Sequence, residues 1–187
     1  MELGTGIEAV GSYAFNNCKD LKSISLSNVQ SIGDYAFQGC ENLQTEGQDP
    51  FVISDLVKYL GNYAFDGCKS LRAVTIGNGV TAVSNYAFNN CSGMVSVMLG
   101  NVQTVGNYAF AGCSLLEDVT GIAVKSVGHY SFSGALTVSA SVLLPSLEII
   151  EPYAFSYCGV ESFNSRTVKE IEFYAFRDCP NLKNIYI

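Results

Sequence analysis

Apolar side chains recur along this chain in a fixed order that no single helix or strand period produces. Tyr-Ala-Phe-x-x-Cys appears at Tyr13 to Cys18, Tyr35 to Cys40, Tyr63 to Cys68, Tyr86 to Cys91, Tyr108 to Cys113, Tyr153 to Cys158 and Tyr174 to Cys179. A degenerate copy, Tyr130-Ser131-Phe132-Ser133-Gly134-Ala135, fills the one gap. Successive tyrosines lie 22, 28, 23, 22, 22, 23 and 21 residues apart. A unit this short cannot bury its apolar side alone, so a tandem array of it predicts a stack in which each coil is covered by its neighbours.

Between these copies runs Leu-x-x-Ile-x-Leu, as in Leu21-x-x-Ile24-x-Leu26, Leu71-x-x-Val74-x-Ile76, Met94-x-x-Val97-x-Leu99 and Leu182-x-x-Ile185-x-Ile187. Its last three positions alternate, which predicts a half-buried strand. Asn28, Asn78 and Asn101 follow, and Val-x-x-Val/Ile-Gly then leads into the next tyrosine. Each unit therefore reads as a strand, a turn, a second apolar step, a glycine and a compact helical turn carrying Ala-Phe-x-x-Cys. The prediction is one parallel stack of about eight coils, on the order of 40 Å long at the usual strand spacing. The second repeat departs from the pattern after Leu43, where Glu46 and Gln48 fall on apolar positions. A short insertion is expected around residues 44–55, with Phe51-Val52-Ile53 returning as strand. Repeats six and seven carry Ser141 and Ser165 at apolar positions.

The segment Ile32-Gly33-Asp34-Tyr35-Ala36-Phe37-Gln38-Gly39-Cys40-Glu41-Asn42-Leu43 resembles the leucine-rich repeat of bacterial BspA-like surface proteins, the Treponema-type class. The likeness runs from about Ile7 to Ile187. It implies a leucine-rich-repeat solenoid over residues 1–187, with a parallel β-sheet on the concave face and short helical or 3-10 turns on the convex face. It also implies a non-enzymatic module, extracellular or on the cell surface, that adheres to or binds a host or matrix protein or a glycan. Such modules often sit within a longer protein.

Composition agrees with a globular chain: 48% of residues are hydrophobic and 14% charged, which excludes disorder. No apolar run approaches the ~18 to 20 residues of a membrane helix, so no membrane insertion is expected. Seventeen acidic against ten basic residues give a formal charge of −7, which argues against nucleic acid as a partner. The first residues lack the basic start and apolar core of a secretory signal.

Candidate chemistry follows from the rows that the repeat creates. Seven cysteines at one repeat position form a ladder, open to disulfide, metal or redox readings, or to burial as a small apolar side chain. Ala135 in the degenerate sixth copy favours burial. The phenylalanines from Phe15 to Phe176 are expected to form the core spine. Tyr13, Tyr35, Tyr63, Tyr86, Tyr108, Tyr130, Tyr153 and Tyr174, two positions earlier, then form a stripe facing partly outward. That stripe offers contact area for sugar or protein, or shields its own edge by stacking. His129 stands where other repeats carry Asn62, Asn85 or Asn107 and reads as a surface substitution. Glu46, Asp49 and Asp55 offer oxygens to Ca²⁺, a weaker reading than a solvated turn. Asn90-Cys91-Ser92 has the form of a glycosylation sequon, but its cysteine belongs to the core. No cofactor and no catalytic set is called for, because charges are spread thinly instead of converging.

Strand alternation places a candidate binding surface at Met98, Thr120, Ile122, Val142, Leu144 and Tyr186, with Asp118 and Arg166 as a polar rim. A structural spacer is the alternative, in which uncapped ends pair head to tail with further copies.

Overall fold

The computed structural model describes residues 6–44 and 49–187. Its described residues form fifteen short strands and no helix, wound as stacked coils. One wall of the stack is built from the second apolar step of each unit. Strands β1 (Ala9–Val10), β2 (Ser31–Ile32) and β4 (Tyr59–Leu60) pair in parallel there, followed by β6 (Ala82–Val83), β8 (Thr104–Val105), β10 (Ser126–Val127), β12 (Ile149–Ile150) and β14 (Glu170–Ile171). The alternating tripeptides form a second parallel wall from β3 (Phe51–Ile53), β5 (Ala73–Ile76), β7 (Ser96–Met98), β9 (Asp118–Thr120) and β11 (Ser141–Leu143). Strands β13 (Ser162–Asn164) and β15 (Asn184–Tyr186) form a parallel pair further along. The repeat thus yields two sheets, because the Val-x-x-Val/Ile step is also extended. Phe51 to Ile53 returns as strand, as expected of the insertion, whose residues 45–48 lie outside the described ones.

The expected helical turns are absent among the described residues, and the reason lies in the backbone. Every tyrosine of the repeat is left-handed, with φ between 53° and 61°. The residue before each cysteine is left-handed too, from Asn17 and Gly39 to Tyr157 and Asp178. These two positions turn alternate N–H groups out of the local coil. Tyr13, Phe15 and Asn17 donate across to the carbonyls of Asp34, Ala36 and Gln38 at 2.9, 2.8 and 2.7 Å. The intervening Ala14, Asn16 and Cys18 close turns to residues three back. A helix would spend all these donors within its own coil. Here half of them bind the next coil, so this segment is a third hydrogen-bonded wall.

The core runs continuously between the three walls. Phe37, Phe65, Phe88, Phe110, Phe132 and Phe155 are fully buried, each stacked on the next at 5.0 to 5.4 Å. One ladder step is replaced at Ser84: its hydroxyl donates to the Leu60 carbonyl where glycines such as Gly61 and Gly106 donate a backbone N–H to the preceding coil. The sheet pairing of the first wall breaks there, between β4 and β6.

Candidate binding surfaces

Register decides which side chains face solvent on the second wall. Val52 pairs with Thr75, Thr75 with Met98, Met98 with Thr120, and Thr120 with Leu143. The outward column is therefore Val52, Thr75, Met98, Thr120 and Leu143. Met98 is 57% exposed, Leu143 53% and the nearby Ile122 64%. Tyr186 also faces outward, on β15.

Two residues expected in this column are not in it. Leu144 is only 1% exposed, and Val142 is half-buried against the core. The cause is one extra residue in coil six: Cys113 to Val119 spans six steps, whereas Ala135 to Val142 spans seven. Leu136 absorbs it by turning left-handed, with φ 66°, and burying its side chain. A shift of one residue exchanges the faces of a strand. Leu144 consequently enters the core beside Gly121, whose absent side chain leaves space that Leu144 and Leu99 fill. A Cβ at Gly121 would lie 3.1 Å from each of those leucines.

The tyrosines form the stripe expected of them. Tyr13 and Tyr174 are exposed, while the six between are half-buried. Their rings stack face to face at 4.4 to 5.1 Å, most within 10° of parallel. The faces are consumed by one another, so the interior rings offer edges and hydroxyls outward. Burial and the neighbouring phenols push the Tyr63 and Tyr108 hydroxyls above their usual range. At the last coil, the Arg177 guanidinium sits 5.4 Å over the Tyr174 ring.

A second ladder runs beside the stripe and was not legible as one. Asp34, Asn62, Asn85 and Asn107 each accept, through Oδ1, the backbone N–H of the equivalent residue in the next coil. His129 ends it because the next equivalent is Pro152, which has no N–H to donate. Released from that duty, the His129 ring stands exposed, 3.5 Å from the Glu151 carboxylate. The signal available in the sequence was the Asx residue before Tyr, together with the change at proline.

The thiols are free, and five of the seven are buried, whereas Cys18 is exposed and Cys179 half-buried. Cys40, Cys68, Cys91, Cys113, Cys158 and Cys179 each point Sγ at the phenylalanine carbonyl of the preceding coil, at 3.0 to 3.3 Å. Burial pushes Cys40 up to about 11 and Cys113 up to about 12. These are protonated, inert side chains with a weak donor to place. Polar side chains on the turn wall bind one another: Asp66 accepts from Gln38 and Asn89, both at 2.9 Å. Glu41 lies between Lys19 and Lys69 at 3.0 and 3.1 Å, which hold its carboxyl below the usual range. A further groove collects Lys125, Arg166 and Lys169 around Glu148. Of the acidic residues in the insertion, Glu46 lies outside the described residues. Asp55 accepts the Asn78 N–H through Oδ1. Among the described residues no helix is long and apolar enough to cross a membrane.

The family model described as the BspA type leucine rich repeat region matches residues 1–48, 45–161 and 104–187, in six copies. The chain belongs to the BspA-type leucine-rich repeat family. Its fold is shared by a leucine rich cell surface protein from Faecalibacterium prausnitzii A2-165, with a TM-score of 0.55 and 19% identity over 97% of this chain and 63% of that one. It is shared equally by the pneumococcal vaccine antigen PcpA, with a TM-score of 0.55 and 21% identity over 98% of this chain and 49% of that one. The chain spans about three fifths and half of the lengths of these two proteins. No curated protein matches it.

Membership of the BspA-type family accounts for the rows but not for what they face. Away from the two ends, the Phe, Ala and Cys rows are the buried skeleton of the stack. The outward column from Val52 to Leu143, the tyrosine stripe and the basic groove are surfaces that this BspA-type chain presents to solvent.

Proposed function

We propose that this chain is an extracellular, cell-surface binding module that engages a host or matrix protein through its second wall. The observation that supports this is the in-register column in which Val52, Met98 and Leu143 alternate with Thr75 and Thr120, with Ile122 beside it: apolar side chains held outward on a parallel sheet. Exposed apolar groups aligned in this way favour a partner's apolar side chains, and a column on an open sheet face suits a protein surface better than a sugar in a cleft. Asp118 on β9 and Arg166 beyond β13 supply opposite charges at the margin, the usual arrangement around an apolar interface centre. Parallel ladders on three walls give the rigid backbone that lets such a surface bind with little ordering cost.

The test is a binding screen of the chain against host matrix proteins and glycans, followed by the variant carrying Met98→Ser and Leu143→Asp. Both residues are exposed, so the fold is expected to survive and circular dichroism checks that it does. At least a tenfold weakening of a captured protein partner is the expected result. Unchanged binding by the folded double variant overturns the assignment to this face.

A further inference from the structure

The tyrosine stripe holds phenol rings in an arrangement with a chemical consequence of its own. Tyr63 and Tyr86 stack at 4.4 Å and 5°, Tyr86 and Tyr108 at 4.6 Å and 5°, and Tyr108 and Tyr130 at 4.8 Å and 10°. We propose that the stripe is a modification site, where a peroxidase-class enzyme using hydrogen peroxide couples neighbouring tyrosines into dityrosine and staples consecutive coils.

Each phenol gives up one hydrogen atom, as an electron and a proton, to become a phenoxyl radical. Two such radicals join through their ortho carbons, forming one C–C bond. The two ortho hydrogens then move to the phenolic oxygens as the rings become aromatic again. Hydrogen peroxide accepts the two hydrogens released and leaves as two waters. The new bond first forms along the p orbitals, perpendicular to the ring planes, so parallel faces aim the reacting carbons at one another. The rings stand about an ångström beyond the ~3 to 3.5 Å at which bound groups react readily. Their slip is limited because the N–H of each stripe tyrosine from Tyr13 to Tyr130 is hydrogen-bonded to the next coil, as from Tyr63 to Asn85 and from Tyr86 to Asn107.

The stripe also shields the reaction from competitors. Interior rings are half-buried, with their faces covered by each other, so an electron can leave through the outward edge while other radicals are kept off the faces.

The experiment treats the dilute full chain with peroxidase and hydrogen peroxide, with free tyrosine in a parallel tube as the control for oxidant. The expected product keeps the monomer mass less two hydrogens per link and shows the blue fluorescence of a biphenol. Fragment masses join Tyr63 to Tyr86 and Tyr86 to Tyr108. Links among the off-stripe Tyr59, Tyr157 and Tyr186 are expected to be at least about tenfold rarer, since nothing holds them in contact. Tyr86→Phe preserves the stack, deletes both of its links and leaves Tyr108 to Tyr130. Three results overturn the proposal: links only between separate copies, links spread evenly over all eleven tyrosines, or an unmodified chain where free tyrosine couples.

Discussion

Removing one ring from the centre of the stack separates the two aromatic rows by their burial. Phe110 is 0% exposed and lies between Phe88 at 5.4 Å and Phe132 at 5.3 Å. Phe110→Ala takes about 150 to 250 Å² of aromatic surface out of the core, worth about 4 to 6 kcal/mol at ~25 cal/mol per Å². Truncations of buried phenylalanine cost about 3 to 5 kcal/mol, because neighbours relax only partly into the cavity. Tyr108, two residues away, is half-buried between Tyr86 and Tyr130 at 4.6 and 4.8 Å. Half the area gives about 2 to 3 kcal/mol for Tyr108→Ala, with no closed cavity since water fills the gap. Tyr108→Phe is expected to cost under about 1 kcal/mol, as it keeps the ring and removes only a solvent-facing hydroxyl. Urea unfolding followed by circular dichroism measures all three as shifts of midpoint at constant slope. A lower slope for Phe110→Ala would show the solenoid parting at its fifth coil, as nearest-neighbour coupling allows. Equal losses for Phe110→Ala and Tyr108→Ala would refute the assignment of the two rows to core and edge.

Thiol titration of the native chain is expected to find Cys18 first and Cys179 more slowly, with the five buried thiols reacting only after denaturation. Burial raises Cys40 and Cys113 from 9.0 to about 11 and about 12. The folded chain therefore holds protons that the unfolded chain releases, so the stability these two thiols contribute is full below pH 9 and is lost as pH rises from there through 12. Cys113→Ala makes that alkaline fall shallower in urea midpoints measured across pH. Gly106→Ala puts a Cβ 2.8 Å from the Asn85 backbone and is expected to cost about 1 to 3 kcal/mol by thermal melt, although Gly106 needs no unusual φ. Asn107→Ala leaves the His129 N–H without its 3.0 Å acceptor and is expected to speed hydrogen exchange at that amide.

Alternation and period were enough to fix the coil count, the Phe and Cys rows and the outward lean of the tyrosines. These follow from the sequence alone because identical side chains at one repeat position must stack when coils stack, whatever the coil's exact path. The insertion's return at Phe51 was legible for the same reason: the tripeptide alternates again. Three features needed the tertiary structure. The left-handed tyrosines were invisible because φ there is set by hydrogen bonds to the next coil, not by a glycine that could be read in advance. The exchange of Val142 and Leu144 for Leu143 was invisible because one extra residue after Ala135 can be absorbed before the strand or within it, and only packing of Leu136 into the core chooses. The ladder from Asp34 to Asn107, ending at His129, depends on backbone donors a full coil away. Sequence determined which residues share a row; contacts between coils decided which way each row faces, since a side chain's facing is fixed by register and register by the neighbours that enforce it.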